Sequence, residues 1–462
     1  MVMTNNITAK IDWQNTKKST KSFITRFLYG KLFPLVLGGI CLICHSLQIQ
    51  LVGLAIFCLI ATLVLCVYKD ATPFLPLGFL VIYNFTDYTV TSTPLFFIIL
   101  APPVLSFFVL MFRAKCKTFS LGNLFLPLAC CCFALITGGL FSYYMNSYVN
   151  GLLQVVVFGP LVLFIYLFFL NYITPPKDFD LKNYLAFLLF VSAIVCNIES
   201  IISSEFKFNG MFISIPQQLG WGNLNTASTM TILALPVTFY LLATSKRKIV
   251  YAISVIFFTY MLFSLDSEGC IAIAMIVLIP SLFLTYKMLL PKQKRYYLGT
   301  LFAIAFIVLV LILIFRQQFY EKICSLYNGI IESFNGRLLL YEHAVDLFLE
   351  NPLFGASMGY NNQEHIELVS QPLHFFNLHS SLLHPLGKLG IIGLGAYCFL
   401  YFSRFKLIIK NTSRFNLFIL LTYGSFFTYG LVDTCEFNII PCVVVVTILF
   451  SIIEILNKKE GK

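Results

Sequence analysis

One long apolar run follows another along this chain, and many reach the roughly 20 residues that a helix needs to cross a bilayer. No other feature constrains the fold as much. In lipid every backbone N–H and C=O must be bonded within the protein, so runs of this length form helices. The two-residue alternation of a membrane barrel is absent. Charged residues make up 11% of the chain, against about a quarter in soluble domains, which excludes one water-soluble core. The expected fold is all-α, a polytopic integral membrane bundle of about 12–14 transmembrane helices with one large extracytoplasmic loop.

The spans are expected near 32–48, 49–68, 73–88, 94–112, 121–140, 151–170, 183–202, 224–244, 248–265, 270–287, 298–315, 379–402, 415–432 and 438–456. Pro73 and Pro76 interrupt the third, which is a candidate re-entrant segment. If the chain starts inside, segments expected on the cytoplasmic side hold 26 of the 31 lysines and arginines, Arg404 among them. Lys207, Arg316, Lys322, Arg337 and Lys388 then fall on or near the outer side, with Asp87, Glu199, Glu205, Asp266, Glu268, Asp433 and Glu436. The expected location is the cell membrane, multi-pass, with both termini cytoplasmic. Residues 1–31 read as a basic cytoplasmic tail without a cleavable signal. Next come a first bundle over 32–315 with about 11 spans, an extracytoplasmic loop over 316–378, spans over 379–456 and a tail over 457–462.

The net charge of +11 follows from this loop placement, and no dense basic block with interleaved aromatics points to nucleic acid. Most of the 14 cysteines lie inside apolar runs, where they act as small hydrophobes. The Cys41-x-x-Cys44 pair has no second pair to complete a metal site. No internal repeat is evident, which weakens a transporter built on inverted repeats.

A 63-residue loop between spans is uncommon unless it has a function. Within it, 337–350 reads as a helix, with Asn335 as N-cap and Asn351-Pro352 as its stop. At 100° per residue, Tyr341, Ala344 and Phe348 lie within about 40° of Arg337, while Glu342, Asp346 and Glu350 lie opposite. A cation on the apolar stripe and in the first turn is costly without an anion partner. A guanidinium at a helix N-terminus suits phosphate. Alternatively, Arg337 snorkels to water or pairs with an outer carboxylate. His379, at the outer mouth of the next span, is a candidate proton acceptor. His384 lies deeper on another azimuth. The plainer alternative is that His379 caps the helix and His384 is bonded within the bundle.

Arg337 with its helix, Asn351-Pro352-Leu353-Phe354-Gly355, Gly359, His379-Ser380-Ser381, Gly387, Leu389-Gly390 and Ile392-Gly393 together resemble the O-antigen ligase and O-antigen or capsular polysaccharide polymerase superfamily. A weaker match is Gly222-Asn223-Leu224-Asn225. The resemblance spans about 220–400. It implies a glycosyltransferase that takes an undecaprenyl-diphosphate-linked glycan to an acceptor hydroxyl on the outer face of the cytoplasmic membrane. No cofactor or metal is implied. Implied partners are the polyprenyl-diphosphate-linked glycan, a glycan or lipid acceptor, membrane lipid and other polysaccharide-assembly membrane proteins. Arg337 would hold the diphosphate, with Arg316 or Lys388. His379 would be the base, with Glu268 or Asp266 as second candidates. Asn225, Tyr341, Tyr360 and His384 complete the expected substrate contacts, although the two tyrosines also fit interfacial anchors.

The sequence departs from the family's pattern. Glu268 stands where many members carry arginine, Ser380 where asparagine follows the histidine, and Lys388 where an acid is common. A lipid-linked oligosaccharide flippase or other polysaccharide transporter is the competing class, and it would place charges midway along several spans.

Overall fold

The computed structural model describes residues 23–85, 94–114, 119–140, 148–209, 211–219, 222–360, 377–438 and 440–460. Its helices, in chain order, begin with α1 (Leu32–Ser46), α2 (Gln50–Val67), α3 (Leu75–Leu80), α4 (Pro94–Ala114), α5 (Phe125–Leu140), α6 (Gly151–Tyr172) and α7 (Leu181–Ser203). A small hairpin, β1 (Phe208–Asn209) and β2 (Phe212–Ile213), leads to α8 (Leu224–Thr244), α9 (Lys248–Leu265), α10 (Glu268–Met288) and α11 (Pro291–Ile314). Then come α12 (Arg316–Glu350), α13 (Leu383–Ile409), α14 (Arg414–Gly430), α15 (Cys435–Asn438) and α16 (Ile440–Glu460). All fourteen expected spans carry helix, and the fold is an all-α polytopic membrane bundle. Nine described helices are long and apolar enough to cross a membrane. The third expected span is α3 flanked by 3₁₀ turns, with Pro73 and Pro76 each in a first turn, where no backbone donor is needed.

The bundle is built around α8. A capping box, Asn223 with Thr226, starts it. Thr229, Thr231 and Thr238 return their hydroxyls to carbonyls four residues back, so these polar side chains are satisfied inside a buried helix. Its small residues allow α7, α9, α10 and α14 to pack around it.

Two expected boundaries are corrected. The helix expected over 337–350 begins at Arg316 and runs unbroken for 35 residues to Glu350. Asn335 is therefore interior, and Arg337 is not in a first turn, so the N-terminal dipole argument does not apply to it. Second, the span expected over 379–402 is not one straight helix. In α13, Gly390 has φ 65° and ψ −160°, a conformation essentially restricted to glycine. The Tyr401 hydroxyl donates to Ser381 O at 3.1 Å. In an unbroken helix those regions would lie about 27 Å apart, so the segment before Gly390 folds back on the segment after it.

The break frees backbone groups, and the segment after Pro352 takes them up. Ala356 and Ser357 N–H donate to Gly387 O and Lys388 O, and Ile391 N–H donates to Pro352 O, each at 2.9 Å. Gly355, with φ 68°, lies so close that a Cβ would sit 2.4 Å from Leu389 N. The glycines of the two motifs thus belong to one interlock. Gly390→Ala would place a Cβ 2.4 Å from the Leu353 carbonyl carbon. We expect it to cost about 3 kcal/mol or more, read as a lower thermal unfolding midpoint in micelles. An unchanged midpoint would contradict the interlock.

Candidate active site

Five pieces of chain meet at one end of the bundle: the start of α8, the α9–α10 turn, the middle of α12, the loop before α13 and the turn between α14 and α15. His379 sits in that loop in the left-handed region, φ 44°, four residues ahead of α13. It is therefore not the helix cap. Its Nδ1 lies 3.3 Å from Asp433 Oδ1, an ion-pair distance without the alignment of a good hydrogen bond. The side chain remains 35% exposed, so the ring can still meet a ligand.

Asp433 is almost fully buried, and its position is fixed by several donors. Thr434 N–H donates to Oδ1 at 2.7 Å. Tyr429 Oη at 3.1 Å and Asn225 Nδ2 at 3.2 Å donate to Oδ2. Ser267 Oγ donates to Asn225 Oδ1 at 3.1 Å and lies 3.3 Å from Tyr429 Oη. Burial alone would raise the Asp433 carboxyl. The His379 contact, the Thr434 N–H and the Arg337 charge outweigh burial and hold it below the usual carboxylate range.

Arg337 is half-buried on the α12 stripe that includes Tyr341 and Ala344, as expected from its spacing. Burial pushes the Tyr341 phenol up, the neighbouring Arg337 charge pulls it down, and Asp433 adds to the rise. The guanidinium is thus within electrostatic reach of both residues. Among the described residues it has no hydrogen-bond or ion-pair partner. Tyr341 Oη donates to His379 O at 3.2 Å and ties α12 to the histidine loop.

Other expected site residues lie elsewhere. Asp266 Oδ1 is 2.6 Å from Lys322 Nζ on α12, and Glu268 packs against Gly329 of the same helix. The carboxylate beside His379 is Asp433, not either of these. Arg316 is exposed at the start of α12, about 30 Å along the axis from Arg337, so it does not share an anion with it. Lys388 is fully buried and donates to Met358 O at 3.3 Å and Tyr360 O at 3.2 Å, bracing the interlock. His384 is buried, accepts Leu378 N–H at 3.4 Å and stacks on Phe437 at 4.6 Å. Tyr360 Oη is 3.2 Å from His343 Nε2, beside a cavity of about 630 Å³ lined with Asp346, Leu347, Leu349 and Glu350. A smaller cavity of about 330 Å³ on the neighbouring flank of α12 is lined by Tyr341, Glu342, Val345, Asp346 and Leu383. His379, Asp433 and Arg337 line neither cavity. His365, His374, Phe375, Phe376 and Asp87 lie outside the described residues.

The Asp433 turn is held from below by a charge pair that the topology count misplaces. Arg404 does not lie in a loop. It is buried in α13, with Nη1 2.5 Å from Glu436 Oε1 and its guanidinium against Tyr423 and Phe450. Glu436 is likewise buried rather than on the surface. Arg404→Ala leaves that carboxylate uncompensated. We expect a loss of about 3–5 kcal/mol, against a much smaller loss for Arg404→Met with Glu436→Gln. Thermal unfolding of the purified variants checks this, and equal losses would contradict it.

At one end of the bundle a histidine thus lies beside a buried carboxylate, with an arginine nearby that holds no hydrogen-bond or ion-pair partner among the described residues. Residues 252–398 match the O-antigen ligase family. This stretch carries that family's domain, one of lipid-linked polysaccharide ligases and polymerases, in line with the resemblance seen in the sequence. It includes Arg337 and His379, while Asn225, Tyr429 and Asp433 lie outside it. Comparison with curated proteins found no match.

Proposed function

We propose that this chain polymerises or ligates a surface polysaccharide, such as a capsule. It would transfer an undecaprenyl-diphosphate-linked glycan to an acceptor hydroxyl on the outer face of the cytoplasmic membrane. The site end faces outward in this reading, with both termini in the cytoplasm. The observation that carries it is the His379–Asp433 pair with the Arg337 guanidinium in electrostatic reach and holding no hydrogen-bond or ion-pair partner among the described residues.

With Nδ1 turned to Asp433, Nε2 of His379 takes the proton of the acceptor hydroxyl as it attacks the anomeric carbon. The bond from that carbon to the phosphate oxygen breaks, and its electron pair leaves with the diphosphate. Arg337 neutralises the charge that collects there. Asp433 orients the imidazole and steadies the imidazolium. Tyr429, Asn225 and Ser267 hold Asp433 in place. No step in this scheme requires a metal ion.

Inactivating the gene tests the reading against a flippase. Polymer should be lost while lipid-linked glycan accumulates on the outer leaflet. Accumulation on the inner leaflet would instead favour transport.

A further inference from the structure

We infer that α12 is an interfacial helix, with one face seated in the bilayer boundary, and that this seat brings Arg337 to the level of lipid phosphate groups. The second half of this statement rests on the role of Arg337 proposed above. The first half does not.

Apart from Arg316 at its start and Tyr341, which bonds to the histidine loop, the helix divides into three faces. Measured from Arg337 at 100° per residue, Lys322, Leu326, Gly329, Leu340, Ala344 and Leu347 fall between about 280° and 340°. Contacts on this face reach the bundle: Lys322 pairs with Asp266, Gly329 touches Glu268, and Ala344 packs on Gly387. A second face, from about 140° to 260°, carries Glu321, Asn328, Glu332, Asn335, Asp346 and Glu350. The third, from about 20° to 120°, carries Tyr320, Ile323, Tyr327, Ile330, Phe334 and Leu338. All six are exposed. Leu339 is the one large apolar residue that falls on the polar face.

Chain continuity identifies what covers the third face. Only Phe315 separates α11 from α12, and α11 has no buried residue along its 24 positions. A helix of that length and hydropathy resides in hydrocarbon. α12 then runs across the end of the bundle, meeting the α9–α10 turn first and the α13 loop later. A helix in that place has bundle on one side, water on another and lipid on the third. Its tyrosines and phenylalanine are residue types that favour the headgroup boundary. Arg337, at 0°, lies on the seam between the lipid face and the bundle face. A diphosphate whose isoprenoid chain stays in the bilayer reaches the protein along that seam.

Tryptophan placed on two faces tests the seat. Phe334→Trp and Glu332→Trp chains are reconstituted in phosphatidylcholine vesicles with and without 6,7-dibrominated acyl chains. The parent chain supplies the background from its two tryptophans. We expect about twofold quenching of the Phe334→Trp signal by brominated lipid, and quenching of Glu332→Trp by aqueous iodide only. Iodide quenching of Phe334→Trp without lipid quenching would overturn the proposal. So would protection of Phe334→Trp from both, with cross-linking between copies through that face. The measurement needs no turnover, so a failed role for Arg337 would leave its outcome readable.

Discussion

Arg337→Ala is expected to lower donor turnover by about 10²–10³ without lowering the amount of folded protein. The side chain is half-buried, and removing it breaks no hydrogen bond or ion pair among the described residues. What is lost is the positive charge that meets the leaving diphosphate. Cells carrying the variant should lack long polymer and accumulate lipid-linked repeat units, with the protein normally localised. Arg337→Lys should recover part of the rate, since an ammonium keeps the charge but not the two-point geometry. Unchanged polymer length and amount in Arg337→Ala would remove the proposed mechanism.

His379→Gln should cut turnover by about 10²–10⁴ while leaving donor KM nearly unchanged, because a general base acts in the transition state and contributes little to ground-state binding. Glutamine keeps a polar group in the loop but cannot take the proton. Asp433→Asn preserves shape, but its single amide oxygen accepts on one side only, so either the Thr434 N–H and His379 side or the Tyr429 and Asn225 side then meets an NH2. Its loss should fall between wild type and His379→Gln, because Asp433 acts through the imidazole. Combining the two changes should be no worse than His379→Gln alone. Steady-state kinetics on the purified variants separates these outcomes. A His379→Gln rate within about threefold of wild type would contradict a proton-transfer role, as such a change is far below the range for a lost base.

Much of this was legible in the sequence because hydropathy and spacing are local signals. The helices of the bundle and the half-buried stripe through Arg337 follow from residues close together in the chain. Three features were not legible, and the reasons differ. The early start of α12 was hidden by Asn335-Gly336, which looks like a helix start. Tertiary contacts at Lys322, Gly329 and Ala344 override that signal. Asp433 was visible only as one of several acids near the ends of spans. Its partner lies 54 residues away, and no spacing rule joins them. Arg404 looked like a loop cation because it closes an apolar run. Leu407, Ile408 and Ile409 beyond it show that the helix continues, and Glu436 explains its burial.

The competing transporter reading would place charges midway along spans. Arg404, Glu436 and Glu454 are indeed buried and each is tied to a neighbour in the fold, and Glu199 is buried near the end of α7. Glu454 accepts from Asn123 N–H and Tyr166 Oη and joins α16 to the segment before α5.

In the proposed reaction, one end of this bundle exchanges a lipid diphosphate for an acceptor oxygen. The most direct test reconstitutes the purified chain in vesicles with polyprenyl-diphosphate-linked glycan extracted from a strain lacking the gene. A chelator is present, and released polyprenyl diphosphate is counted against glycosidic bonds formed. The expected result is one diphosphate per bond with the wild-type chain and almost none with Arg337→Ala. Glycan moving across the membrane with no bond formed, or equal release by both chains, would contradict it.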